Sequence, residues 1–273
     1  MIRQFDTAEP EWMDVAEAPT PELERDLRNL ESLNHRFGAC RVVLKQLAPL
    51  LRRRQPLRIL DLATGGGDLP RAIVREARAL QCPVAVTAVD RQEATLRIAE
   101  KFSGDFPEIQ YVRADIVGFA PDKAVDVVMC NLALHHFEET DVIRILRQCR
   151  LQAGLAALVT DLRRSLLARV AIVGVTELFY REPMTRHDAR VSAARAFSYA
   201  ELHRLAVAAG WWGFEHRRCP FFRQMLWLEP DKRRRRLTSA RAPRRRAVRA
   251  PAAKHGRWYR TRPTASDAPG LRL

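Results

Sequence analysis

The chain has 273 residues, 47% of them apolar, enough to bury a sizeable core in one or two domains. The formal net charge is +15, but residues 231–273 hold 15 of the 47 basic residues and only two of the 32 acids, so the basic character belongs to an appendage and residues 1–230 are close to neutral. Residues 1–30 lack the order of a signal peptide, and the longest apolar run, Leu166–Val175, is short and carries Arg169, which excludes a membrane span and leads us to expect a cytoplasmic protein. The five cysteines are odd in number and scattered, without a CxxC or Cys/His cluster; they read as reduced core thiols, and no metal is expected.

Residues 1–20 are polar and are expected to be disordered. From Pro21 to Arg54 a helical pattern runs through Leu23, Leu27, Leu30 and Leu33, then Val42, Val43, Leu47 and Leu50, with Gly38 as a break; it predicts a helical cover over a ligand site. Leu57-Arg-Ile-Leu-Asp-Leu reads as a buried parallel strand, followed by a glycine turn and a helix whose Leu69, Ile73 and Ala77 share one face. Asp68 is predicted to cap that helix, with Pro70 in its first turn. Further strands are expected at 84–89, 109–112, 125–130 and 155–161, separated by helices at 92–102 and 139–150, an alternation that argues for a doubly wound parallel α/β sheet. Residues 162–196 are helix-like but irregular and follow the fifth strand; they predict a lid and substrate segment. Ser198-Tyr-Ala-Glu201 is a capping box, and aromatic-rich strands at 211–218 and 222–228 close the domain as a hairpin.

The charge around the glycine turn selects its ligand. Gly65 and Gly67 supply G-x-G, but Pro70 stands where a dinucleotide site has its third glycine, and no Gly-Lys-Ser/Thr follows to make a P-loop. Asp61 and Asp68 flank the turn and would repel a pyrophosphate; they suit a ligand carrying ammonium and sulfonium groups, such as S-adenosylmethionine (SAM). Asp90, at the end of the second strand, is positioned for ribose hydroxyls. Asp115 is placed for an adenine amino group, with Ile116 against the ring.

Asp-Leu-Ala-Thr-Gly-Gly-Gly-Asp (61–68) is similar to the motif of the ubiquinone/menaquinone biosynthesis methyltransferases. With Leu-Asn-His-Arg-Phe-Gly (33–38), Ala-Leu-His-His-Phe (133–137), Thr-Asp-Leu-Arg-Arg-Ser (160–165) and Pro-Met-Thr-Arg-His-Asp (183–188), roughly residues 30–230 resemble class I SAM-dependent methyltransferases of bacterial small-molecule biosynthesis. The resemblance implies a Rossmann-like seven-stranded sheet. It implies that Asp61, Gly65 and Gly67 hold the methionine part of SAM, Asp90 the ribose, and Asp115 and Ile116 the adenine, with Asn131 beside the sulfonium; Ala63, Gly66 and Arg91 complete the cofactor-binding set. Gly66 replaces a threonine of those enzymes and removes a hydrogen bond to the cofactor.

Methyl transfer depends mainly on alignment, with proton removal added for a phenol or enol acceptor. His135, His136 and His187 are the candidate bases; Arg163, Arg164 and Arg186 are candidates for holding an anionic acceptor, and Phe179 and Tyr180 for lining its pocket. The expected acceptor is a small aromatic or lipophilic metabolite, phenol, quinone or polyketide-like, methylated at oxygen or carbon, as in secondary metabolism. Two rivals stand beside this reading. One is an RNA methyltransferase that uses the Arg-rich tail, which also suits nucleic acid or an anionic membrane; the other is a SAM-binding protein without turnover. The RNA reading is opposed by the near-neutral folded part and by the absence of Asn/Asp-Pro-Pro-Tyr/Phe after the fourth strand; Asp61, Asp90 and Asp115 argue for SAM binding and leave turnover open.

Overall fold

The computed structural model describes residues 2–6 and 8–230; the Arg-rich stretch 231–273 and its expected disorder and partners lie outside the described residues. Seven strands form one sheet: β1 (Leu57–Leu62), β2 (Val84–Asp90), β3 (Ile109–Arg113), β4 (Val125–Asn131), β5 (Ala153–Leu162), β6 (Glu215–Cys219) and β7 (Arg223–Leu228), in the order β3-β2-β1-β4-β5-β7-β6. The first five are parallel; β7 runs antiparallel between β5 and β6. The central strands are mostly apolar because helices cover both faces. Alternate residues of β1 and β4 supply the two cores. Leu60, Leu62, Val128 and Cys130 pack with α5 (Glu139–Gln152), α8 (Tyr199–Ala208) and Trp211. Ile59, Val127 and Met129 pack with α2 (Ala39–Leu51) and α3 (Asp68–Ala79).

The strand order reverses between β1 and β4, so a crevice opens beyond their C-terminal ends, the place where such sheets bind ligands. The helical stretch before β1 divides at Gly38, whose φ of +74° suits glycine: α1 (Pro21–Arg36) lies over the crevice, whereas α2 packs on the sheet. After β5 the chain forms α6 (Leu166–Phe179) and α7 (Pro183–Arg195), with Pro183 at the first helical position of α7. The capping box at Ser198 and Glu201 is formed in full.

Two expectations are corrected. The first concerns residues 2–20, which are not a structureless leader: a 3-10 turn spans Trp12–Val15, and the segment lies across the crevice as a strap. It has no apolar periodicity because polar groups tie it down. Arg3 donates to the carbonyls of Arg195, His135 and Phe137 and stacks over Phe197; Arg195 donates to the carbonyls of Asp6 and Glu9. Asp188 accepts from the backbone N–H groups of Trp12 (2.7 Å) and Met13 (3.1 Å). The second concerns Asp68, which does not cap α3: Gly67 occupies the cap position, and the Asp68 carboxylate accepts from Asn34 Nδ2 at 3.0 Å, joining α3 to α1.

Candidate active site

The crevice encloses a cavity of about 290 Å³ between the ends of β1, β2 and β4, the strap, α1 and α6. Its lining has three parts: an acidic end, an apolar wall and a histidine cluster.

The acidic end is built by the glycine turn. Ala63, Gly65 and Gly67 all have positive φ, which folds the chain sharply back from β1 into α3. Asp61, only 2% exposed, is one of the residues lining the cavity; it accepts from Thr64 Oγ1 at 2.7 Å through Oδ2, and its Oδ1 is buried without a hydrogen-bond partner among the described residues. Burial pushes its carboxyl up to about 7, opposed by the Thr64 hydrogen bond and reinforced by Asp68 and Asp90. Asp90 accepts from the Gly65 N–H (2.9 Å) and the Gln92 N–H (3.0 Å), which locks the turn against the end of β2. Asp115 accepts from the Val117 N–H at 2.8 Å, beside buried Ile116. Ala63, Gly65, Gly66, Asp90, Arg91, Asp115, Ile116 and Asn131 all line the cavity; Asn131 also accepts a hydrogen bond from Thr160.

Gly67 does not line it. A side chain there would overlap the Tyr111 hydroxyl, which hydrogen-bonds Ser103 at 2.8 Å, so this glycine serves the packing of the turn on β3. Buried Arg71 fills the space behind the turn, donating to the Gly66 carbonyl at 2.7 Å and pairing with Glu31 of α1 at 3.0 Å.

The apolar wall combines Leu27, Leu30 and Leu33 of α1 with Ala171, Ile172 and Val175 of α6. Phe221 and Phe222, both at positive φ in the β6–β7 turn, complete it. Phe179 and Tyr180 are absent from this lining: Phe179 is exposed and Tyr180 is buried elsewhere. The arginines expected to hold an acceptor are also absent. Arg164 pairs with Glu201, and Arg186 donates to the carbonyls of Tyr180 and Glu177.

The third part follows β4. His135 and His136 lie in a 3-10 turn (Leu134–His136) and face Glu11 of the strap. His135 Nδ1 is 2.6 Å from Asp161 Oδ1, and the same carboxylate accepts the His135 backbone N–H at 3.0 Å. His136 Nδ1 is 2.7 Å from Asp14 Oδ2, which also lies 3.8 Å from Arg91. Burial opposes charge on His136, but Glu11 and Asp14 outweigh it and raise the imidazole to about 9. His187 is not brought to this cluster. It stacks on Trp12 (4.3 Å between ring centroids), hydrogen-bonds Asp188, and is absent from the lining, so it belongs to the strap's anchorage.

Sequence reasoning missed Glu11, Asp14 and Asp161. Asp161 had a signal: it ends a parallel strand as Asp61 and Asp90 do. Glu11 and Asp14 had none, because they sit in a polar stretch with no pattern.

Residues 59–151 match the family model described as "Methyltransferase domain". A demethylmenaquinone methyltransferase of Thermotoga maritima is 33% identical over 121 residues, a match covering 42% of this chain and 46% of that protein, so less than half of the relative's length is spanned. Among solved structures, human N-acetylserotonin methyltransferase in complex with SAM superposes with a TM-score of 0.59 at 14% identity, covering 82% of this chain and 60% of that one. Magnesium protoporphyrin IX methyltransferase from Synechocystis PCC 6803 with bound SAH gives 0.53 at 12% identity, covering 79% and 90%. These two structures speak for the fold. With a methyltransferase domain match over residues 59–151, a 3-2-1-4-5-7-6 sheet and an acid-flanked glycine turn at its switch point, the chain has the Rossmann-like fold of class I SAM-dependent methyltransferases.

Proposed function

We propose that the protein transfers a methyl group from SAM to oxygen or carbon of a small aromatic or lipophilic metabolite, of the phenol, quinone or polyketide kind found in secondary metabolism. The observation that carries this reading is the buried, unpartnered Oδ1 of Asp61 in an enclosure that also holds Asp90 and Asp115. A cation at that end would satisfy the orphan oxygen; a pyrophosphate would meet three carboxylates. In this assignment Asp61, Ala63, Gly65 and Gly66 hold the amino-acid end of SAM. Asp90 and Arg91 hold the ribose, Asp115 and Ile116 the adenine, and Asn131 lies nearest the sulfonium. SAM supplies an electrophilic methyl group whose leaving group departs neutral.

The chain's own residues do the rest. Leu27, Leu30 and Leu33 of α1 and Ala171, Ile172 and Val175 of α6, with Phe221 and Phe222, seat an apolar acceptor and fix its angle of approach. The strap and α1 keep water out. Removal of an acceptor proton falls to the polar cluster of Glu11, His135 and His136, which lines the same cavity as the apolar wall.

Calorimetric titration of the full chain with SAM and with NAD tests the reading, alongside Asp90→Ala and the exposed-site variant Asp115→Ala. SAM is expected to bind and NAD to fail, with each variant weakening SAM by about tenfold or more, as loss of a hydrogen bond to a charged group does. Absence of SAM binding, or binding indifferent to both variants, overturns it. Methylation of RNA but of no small acceptor would transfer the assignment to the rival substrate.

A further inference from the structure

We propose that Glu11, His135 and His136 form a divalent transition-metal site on the wall of the cavity, and that the bound ion takes an anionic oxygen of the methyl acceptor. The role toward the acceptor rests on the function proposed above; the metal site rests on geometry alone.

The three side chains come from two distant parts of the chain and are 3%, 4% and 16% exposed. One ligand atom from each lies within 4.8 Å of the others. Glu11 Oε1 is 3.7 Å from His135 Nε2, and Glu11 Oε2 is 3.7 Å from His136 Nε2. Those separations are too long for hydrogen bonds. They are close to what a shared ion requires, because two ligands each about 2.1 Å from one ion sit roughly 3.4 Å apart at the tetrahedral angle.

Each histidine is also held from behind by a carboxylate. Asp161 takes Nδ1 of His135 and Asp14 takes Nδ1 of His136. With Nδ1 held in this way, Nε2 is the ring nitrogen of each histidine left facing Glu11. This is the carboxylate–histidine arrangement that orients ligands around a metal and raises their basicity. Ser192 Oγ donates to Glu11 Oε1 at 2.6 Å and fixes the third ligand.

Two histidines and one carboxylate leave open coordination positions, which here face the cavity, and the donor set suits Zn²⁺, Fe²⁺, Co²⁺ or Mn²⁺. An acceptor hydroxyl would lose its proton to solvent as it meets the ion, before the filled cavity excludes water, because the ion stabilises the oxyanion; with metal bound, the ion takes over the role given above to the three free side chains. An oxygen lone pair then forms the O–CH₃ bond as the S–CH₃ bond breaks with its electron pair left on sulfur. Phenols, enols and vicinal hydroxy-carbonyl compounds are the acceptors this chemistry favours. No local sequence motif announced the site, because Glu11 is far in the chain from the histidine pair.

The test uses the full chain stripped by chelator and dialysed. Zn²⁺ and Co²⁺ are titrated by calorimetry, Co²⁺ also by its visible absorption, into the parent, Glu11→Gln and His136→Gln. One ion per chain is expected, with each variant weakening binding by about tenfold or more. SAM affinity of the parent is titrated separately without metal. Thermal unfolding of each variant controls for misfolding, and Ser192→Ala, which leaves all three ligands in place, should weaken the metal by a smaller factor. No stoichiometric binding by the parent, or binding unaffected by both ligand substitutions, overturns the site. SAM binding without metal binding ends this inference and leaves the proposed function standing; metal binding without SAM binding does the reverse.

Discussion

Asp61 shows how one side chain ties pH to both stability and ligand binding. Burial holds its carboxyl near 7, while the unfolded chain has the ordinary value near 3.8. The folded state therefore keeps a proton that the unfolded state has released, so the stability this group contributes is fullest below about 4 and is lost as pH rises through about 7. A cationic ligand favours the ionised form, so SAM binding should release a proton below 7. Affinity is expected to rise with pH toward 7, by up to about tenfold per unit, and to flatten above it; Asp61→Asn should bind more weakly with a flatter profile. Calorimetry from pH 5.5 to 8.5 in buffers of different ionisation enthalpy reads both effects, with Asp68 and Asp90 as the neighbouring acids to control. The glycines of the turn separate in the same way. Gly65→Ala meets only the strain of its positive φ, whereas Gly67→Ala adds a collision with Tyr111. Urea unfolding should show a loss of about 1 kcal/mol for Gly65→Ala and clearly more for Gly67→Ala, partly recovered in Gly67→Ala/Tyr111→Phe. The acids and glycines at this end were legible in the sequence because a parallel strand running into a glycine turn leaves few places for them to go.

Elements read well where packing imposes a period. The central strands were visible as apolar runs, and α8 by its capping box, since each depends on residues close in sequence. The strap was not visible, because its order comes from carbonyls and carboxylates matched to residues more than a hundred positions away. Arg3→Ala removes three of those hydrogen bonds at once. Hydrogen exchange is expected to accelerate in residues 8–15 while the amides of β1 and β4 stay as slow as in the parent. Equal protection of the strap in both proteins would show that Arg3 does not hold it. The irregular stretch after β5 was legible as helical but not as to its inner face: α6 turns Ala171, Ile172 and Val175 to the cavity and leaves Leu166, Leu167, Val170, Leu178 and Phe179 exposed.

At the scale of the molecule, alternating strands and helices foretold a parallel sheet, but not which side of it each side chain would reach. His187 looked as good a base as His135 because both lie near the sheet's C-terminal edge in sequence. Only the folded chain shows His135 clasped by Asp161 in the cavity and His187 stacked on Trp12 outside its lining. Among the described residues no helix is long and apolar enough to cross a membrane.

The strap that roofs the cavity also carries Glu11. Any displacement of residues 11–14 that widens the entrance withdraws that carboxylate from the two histidines, so admitting a molecule and dismantling the cluster are one movement. On the function proposed above, such a protein is armed only while it is shut, and solvent that enters through an open roof meets an incomplete set of groups.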